Sequence, residues 1–196
     1  MRILVIGAGG QVGRTAVEAL DGHEVVSASR SSEPSVDITD PSSIERLFAS
    51  TGQVDAVIVA VGEVPFRPLA DLSHADYESA FRGKVLSQLD VVRIGTPYVR
   101  DGGSITLTSG ILSREPIATG AAASLANGAV ESYVHAAATE LPRGIRINAV
   151  SPSVLEDAPG YHSSFPGFVP VSSHRVGQAF VKSVLGVQTG QVFPVD

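Results

Sequence analysis

The stretch ILVIGAGGQVG, residues 3–13, decides the fold of this chain. Its first four residues are continuously apolar, which is typical of a parallel strand covered on both faces. Three glycines follow at once, and an amphipathic segment of helical period begins behind them. This order of strand, glycine-rich turn and helix predicts the first βα unit of an α/β sheet.

Three of the four glycines in residues 7–13 have different expected tasks. Gly7 can turn the chain tightly, Gly10 lets the backbone approach a pyrophosphate, and Gly13 allows close packing of the helix on the strand. The helix N-terminus offers unpaired N–H groups and the positive end of its dipole. The spacing is G-x-x-G-x-x-G, because a valine stands where the usual G-x-G-x-x-G has its last glycine. We predict a dinucleotide-binding loop rather than a turn that only starts a βα unit, with contacts from Gly7, Ala8, Gly10, Gln11 and Val12.

The length, charge and residue composition of the chain exclude several classes of function. The chain has 196 residues, so we expect a single domain over residues 1–196. A net charge of −6 without a Lys/Arg run argues against nucleic acid or an anionic membrane as the partner. There are no cysteines, and the histidines show no metal-binding pattern. The apolar run at residues 3–6 is too short for a signal peptide or a membrane span, which predicts a cytoplasmic protein.

Apolar runs of strand length alternate with longer segments of helical period. We expect strands at residues 3–6, 24–29, 54–61, 104–109, 145–151 and 191–193, and helices that include 74–98, 121–141 and 173–185. The alternation predicts an α/β fold, a Rossmann-type doubly wound parallel sheet of three layers with about seven strands. Residues 155–172 are rich in Pro, Gly and Ser and follow a strand end, which makes them a natural substrate lid.

The end of the second strand bears on the choice of cofactor. An acidic residue there would hydrogen bond to the ribose hydroxyls of NAD, but this chain has Arg30 followed by Ser31. A guanidinium beside hydroxyls suits a bidentate grip on a 2′-phosphate. The alternative is a solvated surface arginine. We expect NADP(H) rather than NAD(H).

Taken in order, these pieces resemble the short-chain dehydrogenase/reductase family over nearly the whole chain. Asp37 and Ile38 look like the pair that contacts adenine, and residues 148–152 resemble the segment that leads to the nicotinamide. The resemblance implies further cofactor contacts from Ala60, Val61, Gly62, Thr108 and Val154, with Val154 at the carboxamide. It also places Ser109 at the position of the catalytic serine.

The resemblance breaks at the Tyr-x-x-x-Lys pair that carries the chemistry of this family. In the family, the tyrosine is the general acid/base, and the lysine lowers its pKa and holds the nicotinamide ribose. Here Ala123 stands at the tyrosine position and Asn127 at the lysine position. Alanine has no proton to give, and a neutral amide cannot depress the pKa of a phenol.

Four other residues, Lys84, Ser109, Tyr161 and His162, are candidate substitutes for this pair. The ammonium of Lys84 could fill the vacated lysine space and donate a proton, or Lys84 could be a surface residue. Ser109 could orient a carbonyl but is a poor general acid. Tyr161 and His162 could supply an acid from the lid, or they could be loop surface. Tyr133 and His135 lie off the face shared by Ala123 and Asn127, and we interpret them as packing or interface residues.

Two hypotheses of function remain open. The first is an NADP(H)-dependent oxidoreductase with an atypical active site, with Ser109 and Lys84 as its catalytic candidates and a small carbonyl or similar acceptor as substrate. The second is a catalytically silent NADP(H)-binding sensor or interaction module. Small residues dominate 118–129, which would let two helices approach closely. With the four-helix pairing that the resemblance implies, this predicts a homodimer or homotetramer.

Overall fold

In the computed structural model, which describes residues 1–196, all six expected strands form and join one parallel sheet. They are β1 (Arg2–Ile6), β2 (Glu24–Ala28), β3 (Val54–Val59), β4 (Val99–Thr108), β5 (Arg146–Pro152) and β6 (Val192–Val195). Their order is β2-β1-β3-β4-β5-β6. The chain therefore reverses direction across the sheet after β2, and a crevice opens beyond the carboxyl ends of β1 and β3. The Rossmann-type class is confirmed.

The prediction of about seven strands is corrected to six. Residues 29–40, between β2 and the next helix, form no further strand of the sheet. These residues form an isolated parallel bridge between Ser29 and Ser35. The segment is too short to hold both a crossover helix and another parallel strand.

Seven α-helices connect the strands. They are α1 (Gln11–Ala19), α2 (Pro41–Thr51), α3 (His74–Ala80), α4 (Ser87–Gly95), α5 (Ala121–Ala137), α6 (Pro159–His162) and α7 (Ser173–Leu185). Capping explains two of the starts. The Asp40 side chain accepts from the Ser42 N–H before α2, and Ser73 forms a capping box with Asp76 before α3.

The long helix predicted over residues 74–98 is interrupted. Residues Phe81–Leu86 form a π-helical turn between α3 and α4, and a 3₁₀ turn at Thr96–Tyr98 follows. Gly95 is the last residue of α4, and no larger residue fits there because a Cβ would lie 2.4 Å from the Phe48 ring of α2. A π-helical turn is rare and often marks a functional position.

The core consists of two layers of side chains, one on each face of the β-sheet. Leu4 and Ile6 point to the layer with α2, α4 and α5, while Ile3 and Val5 point to the layer with α1 and α7. All four side chains are fully buried. This alternation on a strand covered on both faces confirms the three-layer arrangement.

The last strand and the expected lid follow the prediction in outline. β6 is an edge strand, as Pro194 requires, and it runs past the proline to Val195. Residues 155–172 contain only the short α6 and one bridge between Leu155 and Val171. No helix in the chain combines the length and apolar character needed to cross a bilayer.

Candidate active site

The glycine-rich turn leaves the N-terminus of α1 free. The N-cap residue Gly10 has no side chain to cap the helix, and no acidic residue lies in the first turn. Gly7 has a positive φ of 88°, and a Cβ on it would lie 2.5 Å from the Ala60 carbonyl oxygen. A Cβ on Gly13 would lie only 2.0 Å from the Gly7 carbonyl oxygen. The tasks predicted for Gly7 and Gly13 are therefore confirmed, and the uncapped N–H groups suit a phosphate.

A first cavity of about 410 Å³ opens beside this turn. Its volume is in the range of small-molecule sites. The structure brings together on its wall most of the predicted cofactor residues: Gly7, Gly10, Arg30, Ser31, Asp37, Ile38, Ala60, Val61 and Gly62. Ala8 and Val12, also predicted, do not line this cavity.

Asp37 is fixed in this wall by its neighbour. The N–H and the hydroxyl of Thr39 both donate to the same carboxylate oxygen of Asp37, at 2.9 and 2.7 Å. These bonds, and more weakly the charge of Arg30, lower the pKa of Asp37. Arg30 itself is exposed and makes no salt bridge, so its guanidinium is available to a ligand.

Lys84 lies in the π-helical turn, and it is buried. Only 9% of the residue is exposed, and its Nζ donates to the Ser109 carbonyl oxygen over 3.2 Å. Its alkyl chain crosses Gly62 so closely that a Cβ on that glycine would lie 2.8 Å from Cγ. Burial lowers the pKa of Lys84 to about 8, against the opposing attraction of the Glu131 carboxylate. The interpretation of Lys84 as a surface lysine is wrong.

Gln88, one helical turn after Lys84, fixes the end of β4. Its amide nitrogen donates to the Thr108 carbonyl oxygen, and its amide oxygen accepts from the Thr108 N–H. The Thr108 hydroxyl donates to the Val59 carbonyl oxygen of β3. Thr108 therefore ties two strand ends together and does not line the first cavity.

Ser109 belongs to a cluster of hydroxyls around one carboxylate. Oε1 of Glu131 accepts from the hydroxyls of Ser109, Ser113 and Ser151, at 2.7, 2.8 and 3.0 Å. Arg114 lies 3.7 Å from the same oxygen and also donates to the Ser151 hydroxyl. Ser109 lines neither the first cavity nor the second one described below.

A second cavity of about 190 Å³ lies beyond the ends of β4 and β5. Most of its wall is apolar and comes from Phe66, Ile111, Leu112, Val154, Leu155 and Phe165. Gln11 and Asn127 supply amides, and Tyr161 supplies a phenol. Gly10 lines the first cavity and Gln11 the second, so consecutive residues at the start of α1 contribute to both walls.

Tyr161 and His162, the two candidate acids in residues 155–172, lie in different surroundings. Tyr161 lies on the wall of the second cavity and is 59% exposed. His162 instead places Nε2 at 2.8 Å from the Leu155 carbonyl oxygen, within the lid itself. The Gln11 side chain donates to the Asp157 carbonyl oxygen and so joins the glycine-rich turn to the lid.

The remaining helix residues have packing positions. Tyr133 packs partly buried against the core, and His135 lies 2.8 Å from the Gly190 carbonyl oxygen, in agreement with the packing interpretation. Ala122 and Ala126 are buried in the core between α5 and the sheet, and Ala123 is buried against Ile111 and Leu112, so these small residues serve contacts within the chain.

Sequence reasoning missed Glu131 and Gln88. A signal for Glu131 existed, because it stands four residues after Asn127 and therefore on the same face of a helix. Gln88 stands in the same relation to Lys84. No group of His, Asp or Glu side chains is arranged to hold a metal ion.

Comparison with known proteins gives matches that cover from about half to nearly all of the chain. The sequence model of the family described as Enoyl-(Acyl carrier protein) reductase matches residues 8–188. Carbonyl reductase (NADPH) 2 of Sus scrofa is 30% identical over 82% of this chain and 74% of its own length. The match to glucose and ribitol dehydrogenase homolog 2 of Arabidopsis thaliana spans 56% of this chain but only 38% of that protein.

Solved structures match more completely. The protein lin1944 from Listeria innocua superposes with a TM-score of 0.98 at 43% identity, covering 100% of both chains. A small-chain dehydrogenase in complex with NADPH superposes with a TM-score of 0.87 at 28% identity, covering 100% of this chain and 96% of that one.

Proposed function

Because this chain belongs to the short-chain dehydrogenase/reductase family, we propose that it is an NADP(H)-dependent oxidoreductase with an atypical active site. Its substrate is a small, uncharged carbonyl compound or a similar acceptor. The observation that carries the proposal is that consecutive residues at the start of α1, Gly10 and Gln11, line two different cavities. The first has polar groups that suit a nucleotide, and the second has the apolar wall that suits an acceptor.

The preference for NADP(H) is supported by the first cavity. Arg30 and Ser31 lie on its wall at the end of β2, with no acidic residue at that strand end. A guanidinium and a hydroxyl can bind a 2′-phosphate, whereas a carboxylate there would repel it. Two relatives are named for or solved with NADPH, which agrees with this preference.

A nicotinamide bound here would supply a hydride to the acceptor. Lys84 would supply the proton, because its buried side chain contacts residues next to both cavities, although Lys84 itself lines neither. Its side chain touches Gly62 of the first cavity, and it bonds to Ser109, whose neighbour Gly110 lines the second. An amine with a pKa of about 8 is partly protonated near neutral pH and can both give and regain a proton. The Tyr161 phenol is the alternative donor from the lid side.

The second cavity limits the class of acceptor. No Lys, Arg, Asp, Glu or His lines it, so nothing there would pair with a charged group on the substrate. Acceptors that need little help from an acid, such as quinones and flavins, therefore fit as well as simple carbonyl compounds.

A silent cofactor sensor is the second candidate function. It is favoured by Ala123 at the tyrosine position and by Ser109, whose hydroxyl donates to Glu131 rather than facing a cavity. A sensor would bind NADPH and never oxidise it.

We also propose a homodimer or homotetramer, assembled through the outer faces of α4 and α5. A groove between these helices is lined by Leu86, Leu89, Tyr133, Ala137 and Leu141, and Leu86 is 51% exposed. Light scattering coupled to size exclusion tests this assembly, and a monomer would contradict it.

The test of the main proposal is a titration of the purified protein with NADPH and NADH, followed by nicotinamide fluorescence. A panel of carbonyl compounds and quinones is then added while cofactor absorbance is recorded. We expect tighter binding of NADPH and oxidation by at least one uncharged acceptor. Binding without oxidation by any acceptor supports the sensor, and no binding of either cofactor overturns both candidates.

A further inference from the structure

Aromatic side chains gather at the second cavity, the one of about 190 Å³ beyond the ends of β4 and β5. The exposed aromatic side chains of this chain are those of Phe66, Phe81 and Tyr161. Two of them, Phe66 and Tyr161, line this cavity, and Phe165 adds a third ring to its wall. Single exposed apolar residues are ordinary, but two exposed rings on one cavity wall indicate a surface that a ligand covers.

These rings come from two separate parts of the chain. Phe66 lies in the connection between β3 and α3, whereas Tyr161 and Phe165 lie in the lid. The backbone beside Phe66 is anchored, because the N–H of Arg67 donates to the Thr119 carbonyl oxygen over 3.1 Å. A ligand that fills the cavity therefore contacts aromatic rings from two different segments.

The ring of Phe165 is fixed by apolar neighbours. It packs against the cluster of Ile111, Leu112 and Ala123, and it meets the ring of Phe168 edge to face. The centroids of these two phenylalanine rings lie 5.4 Å apart at an interplanar angle of 88°. A ring held in this way offers a preformed contact to the ring of a ligand, since aromatic pairs prefer edge-to-face or offset stacked arrangements.

The wall also limits the chemistry of the acceptor. No charged side chain and no histidine lines the cavity, so nothing on its wall neutralises an oxyanion. Hydride transfer to an aliphatic ketone leaves an alkoxide, a strong base that needs a proton from a nearby acid. Hydride transfer to a quinone leaves a hydroquinone monoanion, which is a weaker base, as a tyrosine phenolate is. A quinone therefore makes a smaller demand on the proton donor.

We propose that the acceptor of this protein is a planar aromatic carbonyl compound of the quinone class, bound in the second cavity against Phe66, Tyr161 and Phe165. The inference rests on the proposed function and narrows it. In balance, one quinone, one NADPH and one proton give one hydroquinone and one NADP⁺, so the quinone is reduced and the nicotinamide oxidised. A cavity of about 190 Å³ suits one or two fused rings, since a cavity of about 150 Å³ takes up benzene.

A test without turnover compares two alcohols that do not react with NADPH. 2-Naphthol is planar and aromatic, and 2-decalol is its fully saturated counterpart. Each is titrated calorimetrically into the full chain at saturating NADPH. Phe66→Leu removes a ring but keeps an apolar side chain, and Tyr161→Leu serves if the first variant does not fold. Phe81→Leu is the matched control, because Phe81 is an exposed ring that lines neither cavity.

We expect 2-naphthol to bind about tenfold more tightly than 2-decalol, which corresponds to one or two aromatic contacts. Phe66→Leu should lower this preference by about two- to tenfold, whereas Phe81→Leu should leave it unchanged. In turnover with 1,4-naphthoquinone, Phe66→Leu should raise KM by a similar factor and leave kcat nearly unchanged, because the ring binds the acceptor and transfers neither hydride nor proton.

Three kinds of result would overturn the inference. Equal affinity for the two alcohols, or binding of neither, would show that the rings select no flat ligand. Equal effects of Phe66→Leu and Phe81→Leu would give Phe66 a merely structural role. No reduction of 1,4-naphthoquinone, or a higher kcat/KM for 2-decalone, would exclude quinones as the acceptor. Absence of NADPH binding by nicotinamide fluorescence would instead refute the proposed function itself, so the two failures are distinguishable.

Discussion

Ser109 donates its hydroxyl hydrogen bond to Oε1 of Glu131 over 2.7 Å, and this bond turns the serine away from both cavities. The same oxygen accepts from two further hydroxyls, which come from a turn after β4 and from β5. One carboxylate on α5 therefore holds the ends of two neighbouring strands in place. While the bond persists, the Ser109 hydroxyl can accept from a ligand but cannot donate to one.

Removal of the carboxylate should destabilise the protein. Glu131→Ala leaves the hydroxyls of Ser109, Ser113 and Ser151 without their acceptor in a mostly buried site, since only 14% of the Glu131 side chain is exposed. We expect a loss of about 1–3 kcal/mol in the free energy of unfolding, measured by urea denaturation.

The variant Glu131→Gln is the control for this loss. Its amide oxygen can still accept from the serine hydroxyls, so it should retain most of the stability. If Gln and Ala destabilise the protein equally, the charge beside Arg114 matters more than the acceptor, and the hydroxyl cluster does not support the strand ends.

Two matched variants of the glycine-rich turn, Gly13→Ala and Gly9→Ala, give a second prediction. Gly13→Ala places a Cβ 2.0 Å from the Gly7 carbonyl oxygen, so α1 must move away from β1. Gly9→Ala adds a Cβ with no atom within 4 Å. We expect Gly13→Ala to lower NADPH affinity at least tenfold and to lower the melting temperature, measured by fluorescence titration and calorimetry. Comparable behaviour of the two variants would contradict the close packing described here.

Arg30 provides a third prediction, on cofactor choice. Removing its guanidinium should weaken NADPH binding by about 10–100-fold, the range of one charge-assisted contact, and leave NADH binding nearly unchanged. Arg175→Ala removes an equal charge from an exposed position of α7 and controls for net charge. An equal effect of Arg30→Ala on both cofactors would place Arg30 away from the 2′-phosphate.

The parts of the site that could be predicted from the sequence depend on local spacing. Gly7 and Gly13 are only six residues apart along the chain, so the spacing of the glycines alone predicts the close contact between them. The grouping of Arg30, Asp37 and Ile38 on the wall of one cavity also follows, because the carboxyl ends of neighbouring parallel strands meet at one edge of a sheet.

The parts that could not be predicted depend on side-chain direction across long separations. Glu131 and Ser109 are 22 residues apart, and no local pattern says that three hydroxyls share one carboxylate. The burial of Lys84 could not be predicted, because lysine side chains are mostly exposed. The π-helical turn shifts the helix register at Lys84, and such a turn leaves no periodic signal in the sequence.

The buried ammonium of Lys84 leads to a prediction about stability and pH. Burial lowers the pKa of Lys84 from its usual 10.5 to about 8, so between these values the unfolded chain binds more protons than the folded one. The free energy of unfolding should therefore rise with pH across that window, by at most about 3 kcal/mol for this group. Lys84→Met lacks the titrating group, so its stability advantage over the wild type at pH 7 should shrink towards pH 10.5. Urea denaturation of both proteins between pH 7 and 10.5 measures the difference, and parallel curves would contradict the burial of a charged lysine.

The same titration predicts the pH dependence of catalysis. If Lys84 supplies the proton, the single-turnover rate of NADPH oxidation should fall as pH rises through about 8, because the ammonium is lost. Lys84→Met should be slower below pH 8 and nearly independent of pH across this range. Lys84→Arg is the sharper control, since a guanidinium stays charged and gives up its proton poorly. A falling rate that persists unchanged in Lys84→Met would exclude Lys84 as the proton donor.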